Sequence, residues 1–305
     1  MERLAQRFEE NRAQLRSVAY RMLGSIADAE DAVQETWLRL SRNENSHIDN
    51  MRGWLTTVVG RICLDMLRSR SLKREESLAV AIPDVIVSRE GNPQDEVELA
   101  DSLGVALLVV LYTMTPAERL AFVLHDIFAL PFEEIAPIIG RSSTATRKLA
   151  RRARMRVQGA AMPDEDTARQ RKAVDAFVAA ARTGDLESLI AVLDPKVVLL
   201  ADRAPALKGI HGAAAVAKQA LEFSKLVQKT ESVLVNGTPG IISWLPNGKP
   251  MAVLGFVVSN DRIAEIYVLS DPSPSFATQC KFCQFFGFFG SGRRINKGRW
   301  FQKSV

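Results

Sequence analysis

The sequence is poor in long apolar runs and in cysteine, and both absences exclude whole classes of protein. No run approaches the ~20 apolar residues of a membrane span, and the segment 103–111 is much too short. The N-terminal residues contain no apolar stretch, so we expect no secretory signal. Three cysteines, Cys63, Cys280 and Cys283, are too few for a disulfide framework. We therefore predict a protein of the reducing cytoplasm with no membrane partner.

Basic charge is what the sequence has in excess, and its position is more informative than its total. The net charge is +5 and the sequence pI is about 9.2. One sixteen-residue segment contains seven basic residues and no acidic one: Arg141, Arg147, Lys148, Arg151, Arg152, Arg154 and Arg156. Such a block on a helix is typical of a phosphate-binding surface, and the alternative is a solvated basic face.

The chain divides by composition and periodicity into three folded parts, two linkers and a tail. The first two parts have the three- and four-residue apolar spacing of helices, and the third mixes helical with β patterns. Proline and glycine mark the linkers, and half of the fourteen phenylalanines lie in the tail. The predicted boundaries are 1–72 (helical), 73–98 (linker), 99–158 (helical), 159–168 (linker), 169–272 (α+β) and 273–305 (tail).

The strongest single motif is a helix-turn-helix at the end of the second part. A short apolar helix beginning at Phe132 is followed by Gly140 for the tight turn and by the basic helix, which Ser142 or Ser143 caps. Pro137 should kink or shorten the first helix. A recognition helix reads bases through its N-terminal side chains. We expect Thr144, Thr146, Arg147 and Arg151 on its leading side, and Ala145, Leu149 and Ala153 toward the core.

The third part has the pattern of an α+β domain with a curved antiparallel sheet. Two helices begin it, and a third separates the first strand from the rest. The dipeptides Asn236-Gly237 and Asn260-Asp261 each stand between two apolar segments, which is typical of tight hairpin turns.

Two helical segments together resemble the sigma-70 family of transcription initiation factors. Two segments resemble the family's core region, region two: AYRMLGSIADAEDAVQETWLRL and RGWLTTVVGRICLDMLRSR. A third segment resembles its region four: MTPAERLAFVLHDIFALPFEEIAPIIGRSSTATRKLARRARMRV. No middle domain separates them, as in the minimal extracytoplasmic-function group. The resemblance implies binding to RNA polymerase core, through the clamp helices of the largest subunit and the flap, and to promoter DNA.

The resemblance also implies roles for individual residues. Polymerase would be bound by Glu30, Asp31, Gln34 and Glu35, with Trp37 as core support. The −10 element, captured as a melted strand, would be bound by Asn50, Arg52, Trp54, Thr57, Arg61 and Arg68. For Trp54, core packing is the alternative. The −35 element would be bound by Arg141, Ser143, Thr144, Thr146, Arg147, Arg151 and Arg154. The arginines late in the basic helix are expected to meet phosphates.

The third part resembles SnoaL-like domains, cone-shaped α+β barrels related to polyketide cyclases, through AARTGDLESLIAVLDPKVVL, VNGTPGII and DRIAEIYVLSDP. It departs from that pattern at 202–205 and 81–85, two segments through which the domain is thought to touch the sigma core. His211, with Asp202 nearby, is the candidate acid–base pair. Because a lone histidine after a strand is more often structural or exposed, we predict no catalytic residues and no enzyme.

Several alternatives stay open for this third part and for the chain. For the domain, the alternatives are a small-molecule sensor and an inhibitor that acts in cis. The whole chain is alternatively a one-component helix-turn-helix regulator with a ligand-sensing domain. Cys280 and Cys283 make half a zinc site, so we predict no metal, and we predict no cofactor.

Overall fold

The structure, a computed structural model, describes residues 2–42, 48–73, 83–88, 104–160, 166–201 and 209–270. Several features named above lie outside these ranges: most of the first linker, segment 202–205, and the tail with Cys280 and Cys283. In the parts of the chain that are described, no helix is long and apolar enough to cross a membrane.

Three helices form the first helical domain: α1 (Glu2–Leu23), α2 (Ile26–Arg42) and α3 (Met51–Lys73). The apolar residues of α1 that recur at three- and four-residue spacing, Leu15, Val18, Ala19 and Met22, are all buried. Gly24 ends α1 with a φ of +62°, a left-handed conformation that glycine adopts at low cost. The pattern therefore predicted both the inward face of α1 and the place where it ends.

Four helices form the second helical domain: α4 (Val105–Tyr112), α5 (Pro116–Phe122), α6 (Phe132–Ile139) and α7 (Ser143–Gln158). Thr115 and Glu118 form a capping box at the start of α5. One π-helical turn, Val123–Ile127, follows α5 directly. Helix α6 contains Pro137 and is short, as predicted, and Gly140 (φ +73°) makes the turn into α7.

The two helical domains share one hydrophobic core. A single cluster of buried side chains runs from Phe8 in α1 to Ala153 in α7. At Gly60 of α3 the helices approach so closely that an added Cβ would lie 3.4 Å from Leu120 and 3.6 Å from Ile138. The sequence predicted two surfaces joined by a flexible linker, but the folded chain packs the domains against each other, since their apolar faces bury one another.

The described residues of the C-terminal domain form three helices and most of a seven-stranded sheet. The helices are α8 (Thr167–Thr183), α9 (Leu186–Val192) and α10 (Ala213–Ser224). The strands are β2 (Leu193–Ala201), β3 (Ile210–His211), β4 (Lys229–Val235), β5 (Thr238–Trp244), β6 (Pro250–Ser259) and β7 (Arg262–Ser270). A separate core lies between helices and sheet, where Phe177 and Phe256 meet edge to face at 5.5 Å between ring centroids.

The sheet has the order β1-β4-β5-β6-β7-β2-β3, and it corrects the sequence analysis in two ways. It is mixed, because β2 pairs in parallel with β7, whereas the other described pairings are antiparallel. Its edge strand β1 (Val87–Ser88) comes from the predicted linker and pairs with β4. Both predicted tight turns are present: Asn236, Gly237, Asn260 and Asp261 all have positive φ.

Candidate nucleic-acid and protein interfaces

Helix α7 presents a basic stripe on the side opposite the core. Ser142 caps the helix by accepting a hydrogen bond from the Ala145 amide at 3.2 Å. Ala150 and Ala153 face inward and are fully buried. The exposed side chains include Thr144, Arg147, Lys148, Arg151 and Arg152, and the last four are called the basic stripe below. Their spacing is that of one helical face, so all four can meet one ligand surface.

The structure places Thr146 off this stripe, which corrects the sequence prediction. Its side chain is fully buried, and its hydroxyl donates to the Ser142 carbonyl oxygen at 3.0 Å. Arg141 and Thr144 are exposed and Ser143 is half-buried at the start of the helix. Thr146 therefore supports the helix start from the inside and does not face a ligand.

Two basic residues beyond the stripe are bound within the protein. The Arg154 guanidinium makes an ion pair with Asp126 of the π-helical turn. Arg156 donates to the Thr113 carbonyl oxygen at 2.8 Å and lies 3.5 Å from the buried carboxylate of Glu118. These side chains fasten α7 to the helices before it. Of the seven basic residues counted in the sequence, these two are therefore engaged by residues that precede the helix-turn-helix.

Arg147 is held by two side chains of α6. Its guanidinium lies 2.8 Å from a carboxylate oxygen of Glu133 and 5.7 Å above the ring of Phe132. Phe132 is itself stacked on His125 at 3.8 Å. Sequence analysis missed Glu133 as a partner, although an acid at the start of the first helix of a helix-turn-helix was a visible signal. The pair orients Arg147 along the outer edge of α7.

Helix α3 carries a second cationic surface. Arg61 and Arg68 are exposed on the face that also holds Thr57 and the half-buried Trp54, whereas Arg52 is exposed on the other side. The Asn50 side chain accepts from the Gly53 amide at 2.9 Å, and Thr57 donates to the Gly53 carbonyl oxygen. Trp54 packs against the hydrophobic core, so it has the packing role that was the alternative to DNA contact. The structure brings four of the six predicted −10 residues together on one face.

Only part of the acidic face of α2 is available to a partner, whereas the sequence suggested that all of it is. Glu30 is bound by Arg16 at 2.8 Å and by Arg12 at 3.7 Å, and Glu35 is bound by Arg39 at 2.9 Å. Asp31 and Gln34 are exposed. Within the described part of the chain, neither side chain forms an ion pair or a hydrogen bond. The uncompensated negative charge on this face is therefore that of Asp31.

A groove of about 280 Å³ runs between α1 and α2 beside this face. Its floor is apolar, formed by Phe8, Val33 and Trp37, and Gln34 stands on its rim. Trp37 packs on Phe8 with 5.1 Å between ring centroids, as its predicted core role requires. An apolar floor with a polar rim is suited to a protein partner.

The C-terminal domain brings together no acid–base pair from the predicted residues. His211 is exposed on the two-residue strand β3, and Asp202 lies outside the described residues. Searched over the described ranges, the chain has no cluster of three or more potential metal ligands. Glu265 of β7 is a half-buried carboxyl group that accepts from the Tyr267 hydroxyl, and its burial raises its pKa.

Two helical domains with a helix-turn-helix, followed by an α+β sheet domain, define a sigma factor with a C-terminal extension. Residues 7–73 match the model of sigma-70 region 2, and residues 105–157 match that of sigma-70 region 4. The chain belongs to the extracytoplasmic-function group of RNA polymerase sigma factors in the sigma-70 family, whose members bind core polymerase and promoter DNA.

The relatives extend the likeness over the C-terminal domain. The chain is 38% identical over 270 residues to the probable sigma factor SigI of Mycobacterium tuberculosis, covering 86% of this chain and 91% of that protein. It is 38% identical over 246 residues to SigJ of the same species, covering 76% and 78%. The crystal structure of SigJ matches with a TM-score of 0.72 over 90% of this chain and 98% of that one.

Proposed function

We propose that the basic stripe of α7 reads the −35 element of promoters, with Arg147 contacting a base and Arg151 contacting phosphate. One observation carries this assignment: both side chains are exposed on the same face of α7, the second helix of the helix-turn-helix. Arg141, Ser143 and Thr144 lie at the start of the same helix and are proposed to contact the DNA backbone. Arg154 is proposed as a support of α7, because its ion pair with Asp126 is less exposed to solvent than the pair between Arg147 and Glu133.

Replacing Arg147 by alanine is expected to relax −35 specificity. A bidentate arginine–guanine pair contributes about 1–3 kcal/mol of discrimination, so the preferred sequence should lose roughly 5- to 150-fold of its advantage. Arg151→Ala is the matched control and should weaken binding to all sequences alike, with a salt slope lower by about 1. Titrations of holoenzyme on duplexes varied at each −35 base, at two salt concentrations, measure both. Equal losses on every sequence from both variants would contradict the assignment.

We propose that α3 and α2 provide the other two contacts. Asn50 just before α3, together with Arg52, Trp54, Thr57, Arg61 and Arg68 on it, is proposed to bind the −10 element, with the arginines tracking phosphates. On α2, Asp31 and Gln34 are proposed to contact the clamp helices of polymerase directly. Glu30 and Glu35 are proposed to keep that face in shape through their ion pairs with Arg12, Arg16 and Arg39.

One experiment tests the function as a whole. Core polymerase is mixed with the purified protein on a genomic promoter library, and run-off transcripts are compared with those of core alone. New start sites that share a −35 and a −10 sequence are expected. If no promoter gains activity over core alone, the proposal that this chain directs initiation is wrong. A one-component regulator would bind DNA in the same assay but would leave polymerase unrecruited.

We propose that the C-terminal domain regulates the sigma factor in cis and is not catalytic. Two observations support this. Its sheet accepts strand β1 from the linker between the helical domains, so its fold constrains that linker. Its candidate base, His211, is exposed on a two-residue strand. A small molecule bound by this domain is the proposed class of input, and the proposed place of action is the cytoplasm, with polymerase.

Removal of the C-terminal domain after Gln158 is expected to raise run-off transcription. The helical domains have their own core, and truncation releases the linker from the sheet. If the lost contacts hold the chain in an inactive arrangement by about 1–2 kcal/mol, the yield should rise roughly five- to thirtyfold. The measurement compares the two proteins at equal concentration of assembled holoenzyme. An unchanged yield would remove the regulatory role.

A further inference from the structure

The first turn of α6 carries two adjacent acidic residues, Glu133 and Glu134, both exposed and both close in sequence to the basic helix α7. The first helix of a helix-turn-helix crosses the DNA backbone, and a carboxylate there is repelled by the phosphates. The N-terminal end of a helix stabilises a negative charge, which accounts for acids in this turn. It does not account for the contact that Glu133 makes with the recognition helix.

Glu133 is distinguished from its neighbour by this contact with Arg147 of α7. One carboxylate oxygen of Glu133 accepts a hydrogen bond from a terminal nitrogen of the Arg147 guanidinium at 2.8 Å. Within the ranges that the structure describes, the side chain of Glu134 forms no ion pair or hydrogen bond. The two acids thus have the same charge and adjacent positions, and they differ in their relation to Arg147.

The ring of Phe132 restricts the same guanidinium from the side of α6. It lies 5.7 Å from the guanidinium carbon of Arg147, measured to the ring centroid. Phe132 is half-buried and stacks on His125, with 3.8 Å between the ring centroids. His125 in turn donates from its Nδ1 to the Leu130 carbonyl oxygen at 2.8 Å. The ring that Arg147 contacts is therefore itself held in place by the π-helical turn before α6.

The donors of Arg147 are not exhausted by the contact with Glu133. A guanidinium has five N–H donors, and the bond to Glu133 uses one of them. A bidentate pair with the O6 and N7 atoms of guanine requires two, so a guanine edge can be bound while Glu133 stays in place.

The charge of the second ligand decides which ligand Arg147 tolerates. The acceptor atoms of guanine are neutral, whereas a phosphate oxygen is anionic. Two anions that share one guanidinium lie about 4–6 Å apart, a distance at which like charges disfavour each other. Arg147 in contact with Glu133 therefore accepts a base at a lower cost than a phosphate.

The exposure of the pair argues against a role in holding the fold together. The side chains of Arg147 and Glu133 are 59% and 62% exposed, and an ion pair so exposed contributes little to stability. Arg151 and Arg152 differ from Arg147 because, within the described part of the chain, neither forms an ion pair. They are free to follow phosphates, whereas the charge of Arg147 is already partly compensated.

We propose that Glu133 is a specificity-determining positioning residue, whose carboxylate keeps Arg147 away from phosphates and reserves it for a base edge. This role rests on the proposed function of α7, because that function supplies the DNA element to be read. Glu133 lowers the affinity for DNA of any sequence and raises the ratio between specific and nonspecific binding. Since specificity is a difference between two affinities, a residue that penalises the wrong ligand is as effective as one that binds the right one.

The first measurement compares two duplexes, one with the preferred −35 sequence and one with that sequence scrambled, each titrated with holoenzyme that contains the full-length protein. Glu133→Gln removes the charge with little change in size. It is expected to raise affinity for the scrambled duplex roughly fivefold at about 0.15 M salt, because one more phosphate contact changes log K by about 0.9 times log[salt]. Affinity for the preferred duplex should change less than about twofold, so discrimination falls.

The second measurement needs no specific sequence. The salt dependence of binding to the scrambled duplex reports how many phosphates the protein neutralises. Arg147→Ala should leave this slope unchanged when Glu133 is present, since the carboxylate then occupies the guanidinium. In the Glu133→Gln background, Arg147→Ala should lower the slope by about 1. Equal effects of Arg147→Ala in the two backgrounds would overturn the proposal.

Two matched variants separate the contact from the charge. Glu134→Gln makes the same change in net charge one position away, and it should raise affinity for both duplexes alike, leaving discrimination as in the wild type. Glu133→Asp keeps the charge and should retain more of the discrimination than Glu133→Gln. If Glu134→Gln lowers discrimination as much as Glu133→Gln does, or if Glu133→Asp is as unselective as Glu133→Gln, the role assigned to the Glu133 carboxylate is wrong.

Failure of this inference and failure of the proposed function give different results. If the wild type binds the preferred and the scrambled duplex equally, the −35 assignment of α7 fails, whereas the salt slopes still decide whether Glu133 withholds Arg147 from phosphates. If the wild type discriminates and Glu133→Gln discriminates as well as it does, the −35 assignment stands and Glu133 has no part in specificity.

Discussion

Reversing one charge on α2, by Asp31→Arg, is expected to weaken binding to core polymerase by roughly 30-fold or more. Asp31 is exposed, whereas Glu30 and Glu35 on the same helix are already paired with arginines. Loss of one partner from a charge pair that is buried on complex formation costs about 2–5 kcal/mol, and each 1.4 kcal/mol is tenfold in affinity. Competition for fluorescently labelled holoenzyme measures the change.

Two matched variants distinguish an effect of this site from a general effect of net charge. Asp175→Arg makes the same change at an exposed position of α8 in the C-terminal domain, and it should leave the affinity within about twofold. Glu30→Gln should cost less than Asp31→Arg, because the carboxylate of Glu30 is held by α1. Equal weakening by Asp175→Arg would show a general effect of net charge and would count against α2 as the contact surface.

The helices and turns could be predicted from local sequence because local rules determine them. The buried positions of α1 repeat at three and four residues, Thr115 and Glu118 bracket the start of α5, and Gly140 ends α6. The pairs Asn236-Gly237 and Asn260-Asp261 adopt the positive φ angles for which those residues are suited. Each of these features depends on residues within four positions of one another.

Features that depend on distant pairing were missed. Strand β1 has two residues and exists only because Val87 and Ser88 pair with β4, almost 150 positions later. The parallel pairing of β2 with β7 likewise joins the first and last long strands of the domain. The shared core of the helical domains was predicted as two separate units, since periodicity tells which face of a helix is apolar and not which helix covers it.

At the candidate site, too, single contacts with distant residues could not be predicted from the sequence. A count of basic residues cannot reveal the acids that meet Arg154 and Arg156, because Asp126 and Glu118 come from earlier helices. Thr146 was predicted on the outer face from its polarity. Its hydroxyl is satisfied by the carbonyl oxygen four residues earlier, and a threonine bonded in this way can be buried at little cost.

Removing one aromatic ring from the core of the C-terminal domain is expected to have the largest effect on stability. Phe256 of β6 is 2% exposed and packs against Phe177 of α8, joining sheet to helix. Phenylalanine-to-alanine changes in such positions cost about 3–5 kcal/mol. Amide exchange in β5–β7 should therefore accelerate by roughly two to four orders of magnitude, as peptide-resolved hydrogen–deuterium exchange mass spectrometry would record.

The control is the same substitution at Phe223, at the exposed end of α10, where 44% of the residue is accessible. Phe223→Ala should change exchange little, since surface substitutions usually stay within about 0.5 kcal/mol. Peptides of α1–α3 should keep their protection in both variants, because the helical domains have a core of their own. Equal loss of protection there would mean that the two cores unfold as one. The amide of Ile86, whose acceptor is the side chain of Asn236, should lose protection together with the sheet.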